Sequence, residues 1–180
     1  MISKADIEEA YGKIRNDIVR TPLVYSQKIS QLCGCRVFLK LENFQMTGSF
    51  KERGALNKLL SLSPGEREKG VVAASAGNHA QAVAYHCRRL GIRAKIVMPM
   101  GTPLVKIVST ESYGAEVILH GDMVDDAGER ALKISGDEGM IFIHPFADPL
   151  IIAGQGTLGL EILNDDLGRD LAAVLCPVGG

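Results

Sequence analysis

A chain of 180 residues in which 46% are hydrophobic is long enough to bury a core, which excludes a disordered segment and leaves one domain or two small ones. Twenty basic residues against twenty-one acidic ones give a net charge of −1 with no dense Lys/Arg block. That balance excludes the electrostatic footprint of a nucleic-acid or anionic-membrane binder and points to a small molecule or another subunit as partner.

The opening stretch MISKADIEEAYGKIRND is charged on most turns and has no apolar leader core. No later window approaches the length of a membrane span, so a cytoplasmic protein is expected. Ser3 and Asp6 have the spacing of a capping box, and Ile7, Ala10, Tyr11, Ile14 and Ile18 recur at helical spacing. They predict a first helix that runs to the stop at Thr21-Pro22. Ser26 is expected to cap a short helix to Cys33, after which RVFLKLE alternates as a strand with Val37, Leu39 and Leu41 on one face. The stretch TGSFKERG (residues 47–54) follows, and residues 50–62 read as a helix.

From residue 71 the rhythm becomes regular: strand VVAAS, a turn at Gly77, a helix to Leu90, Gly91 and strand AKIVMP. Thr102 is placed to cap a helix with Pro103 at its first position; Gly114 ends that helix after Tyr113, and AEVIL is the next strand. A helix over residues 122–138 leads to a fourth strand, MIFIH. Strands alternating with helices at this spacing predict an α/β fold, a parallel sheet with helices on both faces. Ala147-Asp148-Pro149 starts a long helix to Leu167, and LAAVLC is expected as a fifth parallel strand feeding the terminal PVGG. A strand that delivers glycines at the chain's end reads as the N-terminal part of something longer. Residues 64–149 are therefore expected as a small α/β domain, and residues 1–63 with 150–180 as a larger, incomplete one.

The cysteines Cys33, Cys35, Cys87 and Cys176 contain one close pair, a C-x-C without companion ligands at zinc spacing, and no metal site is expected. They are read as reduced, mostly buried thiols. The string GQGTLG (Gly154, Gly156, Gly159) satisfies the G-x-G-x-x-G dinucleotide pattern, but no strand immediately precedes it and it falls inside the predicted helix. Its glycines are expected to serve close helix packing. SAGNHAQ (residues 75–81) does lie between a strand and a helix, where free backbone N–H groups and the helix dipole attract an anion and Ser75, Asn78 and His79 add donors. Ordinary turn and cap chemistry would use the same residues; the position at the carboxyl end of a parallel strand favours a ligand site. Lys51 is either a solvated lysine of a helix start or a reactive amine, made so by partial burial, the adjacent Phe50 and the helix N-terminus.

The stretches LKLENFQMTGSFKERGA, SAGNHAQ, MPMGTPLVKI, SYGAEVILHG and PVGG, in this order and over essentially the whole chain, resemble the N-terminal part of a pyridoxal-phosphate threonine dehydratase (threonine ammonia-lyase). That family is of the tryptophan-synthase-β-like, fold type II group, which includes serine racemase. The resemblance implies a two-domain fold with pyridoxal 5'-phosphate as cofactor. Lys51 would be its covalent attachment point, Phe50 would lie against its ring, and Asn78 would bond its 3-hydroxyl. Ser75, Gly77, Asn78 and His79 would hold the carboxylate of an amino-acid substrate, and Gly179 and Gly180 would begin the phosphate cradle. It further implies β-elimination of water from L-threonine or L-serine, with Lys51 removing the α-proton, and a homo-oligomeric full-length protein.

Ala76 stands where racemases of the group carry a second serine, so dehydration is expected over racemisation. Cysteine-synthase relatives typically carry a threonine-containing loop in place of SAGNH and rank third. A non-catalytic α/β module that binds an anion or a partner is the alternative from another class.

Overall fold

The structure, a computed structural model, describes residues 1–168 and 170–176. Helix α1 (Lys4–Ile14) starts with the predicted capping box: Ser3 Oγ accepts the Asp6 N–H, and Asp6 accepts the Ser3 N–H at 2.7 Å. It ends a full turn before Ile18. Beyond Ile14 the backbone is drawn away by side chains from elsewhere, since Gln45 bonds both the N–H (3.1 Å) and the C=O (2.8 Å) of Val19, and Asp17 pairs with Arg89 at 2.7 Å. Strand β1 (Leu23–Tyr25) pairs antiparallel with β2 (Phe38–Lys40) around helix α2 (Gln27–Cys33). The expected strand over RVFLKLE is thus only three residues long, with β1 as its unforeseen partner, and Glu42–Phe44 turns as a 3₁₀ helix.

Helix α3 (Lys51–Leu60) is buried on nearly every side, and the short α4 (Pro64–Lys69), which has its own Ser63/Glu66 capping box, leads into the main sheet. That sheet has four parallel strands in the order β5 (Glu116–Leu119), β4 (Ala94–Met98), β3 (Val71–Ala74), β6 (Ile141–Phe142). Side chains alternate across it with the period of two that a strand imposes. Val71, Ala73, Ile96 and Met98 pack with Ala80, Val83, Ala84 and Cys87 of α5 (Asn78–Leu90) and Ala55 and Leu59 of α3. Val72, Ala74 and Val97 pack with Ala127, Ala131 and Ile134 of α7 (Val124–Glu138). Helices therefore cover both faces. Helix α6 (Leu104–Ser112) begins one residue later than expected: Pro103 is the N-cap and Thr102, though buried, caps nothing.

Helix α8 (Pro149–Leu163) is capped by Asp148, which accepts the Leu150 N–H at 2.8 Å, and contains all three glycines of GQGTLG. A Cβ on Gly154 would meet Arg53 O and Gly54 Cα at 2.6 Å, and one on Gly156 would meet Ile7 at 2.8 Å. These two glycines let α8 lie directly on α3 and α1. The same crossing buries a charge network. Arg53 donates to both carboxylate oxygens of Glu42 at 2.8 Å and to both of Glu161 at 2.8 and 3.0 Å, while Lys40 Nζ meets Glu161 at 2.6 Å. Two cations face two carboxylates, so no charge is buried unpaired.

Two expectations are corrected. Residues 171–176, read as a fifth strand, carry no strand and are mostly exposed, with Leu175 at 94%. A strand needs a neighbouring strand for its backbone N–H and C=O groups, and none among the described residues pairs with this segment. Of the four free cysteines only Cys87 is buried; Cys33 and Cys35 flank Gly34, which turns the chain in the left-handed region (φ 67°) at the exposed end of α2.

Candidate active site

Three segments converge at the carboxyl end of the parallel sheet, where strands hand over to loops and α/β folds place their ligands. The first is the start of α3. Ser49 Oγ accepts the Lys51 backbone N–H at 3.1 Å, fixing the turn from which Lys51 leaves the helix. The Lys51 side chain is half-buried and runs past the Phe50 ring, with Nζ 5.5 Å from its centroid. Burial pushes its pKa below the ordinary lysine range, because an ammonium loses hydration that nothing nearby fully replaces.

The second segment follows β6. Ile143 prolongs the pairing with β3 through its N–H to Val72 O (2.8 Å), and the chain then turns at His144-Pro145. His144 Nδ1 accepts the N–H groups of Phe146 (3.2 Å) and Ala147 (2.9 Å), and its ring packs edge-on to Phe142 and Phe146. This braced turn presents the Pro145 carbonyl to Lys51 Nζ at 2.9 Å.

The third segment is the turn from β3 into α5. Ser75 N–H continues the ladder to Val97 O (3.1 Å), and Ser75 Oγ accepts the Gly77 N–H at 3.2 Å. Gly77 is the N-cap of α5, and Asn78 is exposed at its first position. His79 points inward and is buried, with Nε2 donating to Ile143 O at 3.2 Å, which leaves a lone pair on Nδ1 without a partner among the described residues. Burial lowers its pKa to about 4, opposed by the Ile143 carbonyl and assisted by the charges of Lys51 and His144. His79 is therefore a neutral imidazole close to the Lys51 amine.

Of the residues singled out by sequence, Phe50, Lys51 and His79 meet around Ile143 and Pro145, and Ser75, Gly77 and Asn78 form the adjoining turn. Gly179 and Gly180 lie outside the described residues. Sequence reasoning missed the 143–147 turn, although the signal was present: MIFIH followed by Pro145 ends a parallel strand on the same side of the sheet as SAGNHAQ. A half-buried amine with a lowered pKa, an aromatic face beside it and donors at a helix start suit a flat, polar, aldehyde-bearing cofactor.

Comparison with known proteins agrees with that fit. A family model described as pyridoxal-phosphate dependent enzyme matches residues 14–180. The L-threonine ammonia-lyase of Thermotoga maritima is 53% identical over all of the chain and 44% of its own length. The catabolic L-threonine dehydratase of Escherichia coli K12 is 50% identical over 97% of the chain and 53% of its own length. Maize serine racemase superposes with a TM-score of 0.86 at 36% identity, covering 90% of the chain and 49% of that structure. The chain thus spans about half the length of the curated relatives it matches.

Proposed function

The chain belongs to the family of pyridoxal-phosphate-dependent enzymes, and on that premise we propose that, with the remainder its relatives carry, it forms a threonine ammonia-lyase. The proposed reaction eliminates water from L-threonine or L-serine and yields ammonia with 2-oxobutanoate or pyruvate. The observation that carries this reading is Lys51: its amine is half-buried, depressed in basicity and aimed by the Pro145 carbonyl at the start of α3.

When bound, the cofactor supplies an electron sink for the charge left on the substrate's α-carbon. Lys51 Nζ is the group that would hold the cofactor and take the α-proton; its lowered pKa leaves a larger fraction of the amine unprotonated, and so able to accept a proton, near neutral pH. Phe50 shields the amine from water on one side. The start of α5 at Gly77, Asn78 and His79 receives the substrate carboxylate, with Ser75 shaping the turn by accepting the Gly77 N–H. Asn78 presents its amide to the cofactor's 3-hydroxyl. His79, neutral, adds no positive charge to compete with Lys51 for protons. Gly179 and Gly180 are assigned to the phosphate.

Ala76, half-buried between Ser75 and Gly77, offers no hydroxyl with which to return a proton to the opposite face, so elimination is assigned over the racemisation named for the maize relative. We assign residues 1–63 and 150–180 to the larger domain and 64–149 to the smaller. The Gly154 crossing and the Arg53 network, which tie residues 40–57 to residues 150–161, support that division. The protein is proposed to be cytoplasmic and homo-oligomeric; no helix among the described residues is long and apolar enough to cross a membrane.

The test is product analysis of the protein carrying the second half its relatives have, supplied with pyridoxal phosphate and L-threonine. Formation of 2-oxobutanoate and ammonia, abolished by Lys51→Ala, is expected. A protein that inverts serine without releasing keto acid would replace this reading with a racemase.

A further inference from the structure

Two buried ionisable side chains have no part in the chemistry above. Glu52 follows Lys51 in α3 and is fully buried. One of its carboxylate oxygens accepts the backbone N–H of Thr47, at the head of the loop that delivers Lys51. The other, Oε2, has no hydrogen-bond partner among the described residues and faces Nε2 of His86 at 3.7 Å. His86 is also fully buried, about two turns into α5, and neither ring nitrogen has a partner among the described residues. Its ring is packed edge-on to Tyr85 at 4.9 Å, which in turn packs on Tyr113, so it is held in place by apolar contact.

Unpartnered polar atoms are rare in a protein interior, and two that face each other across a helix interface point to one arrangement shared by both. The helices concerned are the two that begin at the site: α3 with Lys51 and α5 with Asn78. The other charged groups nearby are already engaged. Arg89 and Asp17 pair with each other at 2.7 Å on the solvent side, and Glu42 is held by Arg53. We propose that Glu52 and His86, facing each other at 3.7 Å, act as a positioning couple that holds the first turn of α3 against α5 and so fixes the direction in which Lys51 enters the site.

Burial raises the carboxyl pKa and lowers that of the imidazole to about 3, so His86 is neutral and burial favours the uncharged form of Glu52. In that form Oε2 offers an O–H towards His86 Nε2 while the other oxygen keeps the Thr47 N–H. Glutamine reproduces that pattern: an oxygen to accept and an N–H to donate. Leucine reproduces only the volume.

The inference rests on the reading of Lys51 as a perturbed amine, and the experiment separates the two. Competitive acetylation across a pH series, read by mass spectrometry, gives the titration of Lys51 beside that of Lys58, an internal reference in the same helix that pairs with Asp148. In the unsubstituted protein Lys51 should titrate below the ordinary lysine value of about 10.4; a profile at or above that value would overturn the reading of Lys51 itself. Glu52→Gln should leave the Lys51 profile in place. Glu52→Leu should move it upward, with the labelling rate near pH 8 falling about tenfold per pH unit of displacement, while Lys58 stays constant. His86→Phe should act like Glu52→Leu, and the double substitution should add little.

A Lys51 profile unchanged in a folded Glu52→Leu protein, or one shifted in Glu52→Gln as far as in Glu52→Leu, would overturn the proposal. Should the leucine variant not fold, Glu52→Gln decides alone: a preserved profile supports the neutral couple, and a shifted one refutes it.

Discussion

Gly154→Ala and Gly159→Ala add the same methyl group to the same helix and are expected to change stability in opposite directions. Replacing a helical glycine by alanine gains about 1 kcal/mol of helix propensity wherever there is room. At Gly159 no atom lies within 4 Å of the new Cβ, so that gain should appear nearly whole. At Gly154 the Cβ would stand 2.6 Å from Arg53 O and from Gly54 Cα. Carbon contacts settle near about 3.5–4.0 Å, so α8 and α3 would have to part by about 1 Å. The obstacle is backbone, not a side chain that could swing away, and the buried Arg53–Glu161 pair ties α3 to α8 at the same crossing.

Overpacking of this kind costs about 1–3 kcal/mol, which against the propensity gain leaves a net loss of up to about 2 kcal/mol. With a urea slope of about 2 kcal/mol/M the midpoint should fall by up to about 1 M for Gly154→Ala and rise for Gly159→Ala. Urea titration followed by circular dichroism reads both. A Gly154→Ala protein as stable as Gly159→Ala would refute the reading of this glycine as a crossing point of two helices.

Lys51→Ala should fold with little change in stability, since the side chain is only half-buried at a helix start, yet abolish keto-acid release in the longer protein; retained turnover would exclude Lys51 as the base. Ala76→Ser should raise D-serine formation relative to pyruvate in that protein by placing a hydroxyl where the second proton donor is missing, and abundant D-serine before substitution would remove Ala76 as the discriminator. Stability should fall as pH drops below about 6.5. His79 and His86 have folded pKa values of about 4 and about 3, so the unfolded chain takes up protons there that the folded chain refuses. Each histidine then contributes a loss of up to about 1.4 kcal/mol per pH unit. Glu52 works in the opposite sense, its raised pKa favouring the folded state as pH falls towards the ordinary carboxylate range, and makes the slope shallower. Urea midpoints at pH 7, 6 and 5 check the sign, and a midpoint that is flat or rises on acidification would contradict it.

The regular part of the fold was legible because its elements announce themselves locally. The apolar run Val71–Ala74, the glycines at Gly91 and Gly114 and the apolar spacing of α5 all state their structure within a few residues. Failures came where a distant partner decides. Nothing near Ile18 says that Gln45 will take the Val19 backbone, and β1 exists only because β2 returns beside it. LAAVLC has the composition of a strand, but composition cannot supply a neighbour. At the site, Lys51 and SAGNHAQ could be found from their settings, a glycine-flanked amine and a strand-to-helix turn. The Pro145 carbonyl could not be found from side-chain chemistry, because its contribution is a backbone atom placed by topology. Glu52 and His86, 34 residues apart, carry no sequence signal that links them, and only the packing of α3 on α5 makes them a pair.

The central claim, that Lys51 is the amine this fold prepares for an aldehyde cofactor, is tested most directly by trapping. The chain is incubated with pyridoxal phosphate near pH 8, reduced with borohydride, digested, and its phosphopyridoxyl-lysines are mapped by mass spectrometry. An ordinary lysine amine, of pKa near 10.4, is only about 0.4% free at that pH, whereas the lowered pKa of Lys51 leaves more of its amine free. The account predicts that the label concentrates on the Lys51 peptide at the lowest cofactor concentrations. Label spread over the exposed lysines, with Lys51 unmodified, would contradict it.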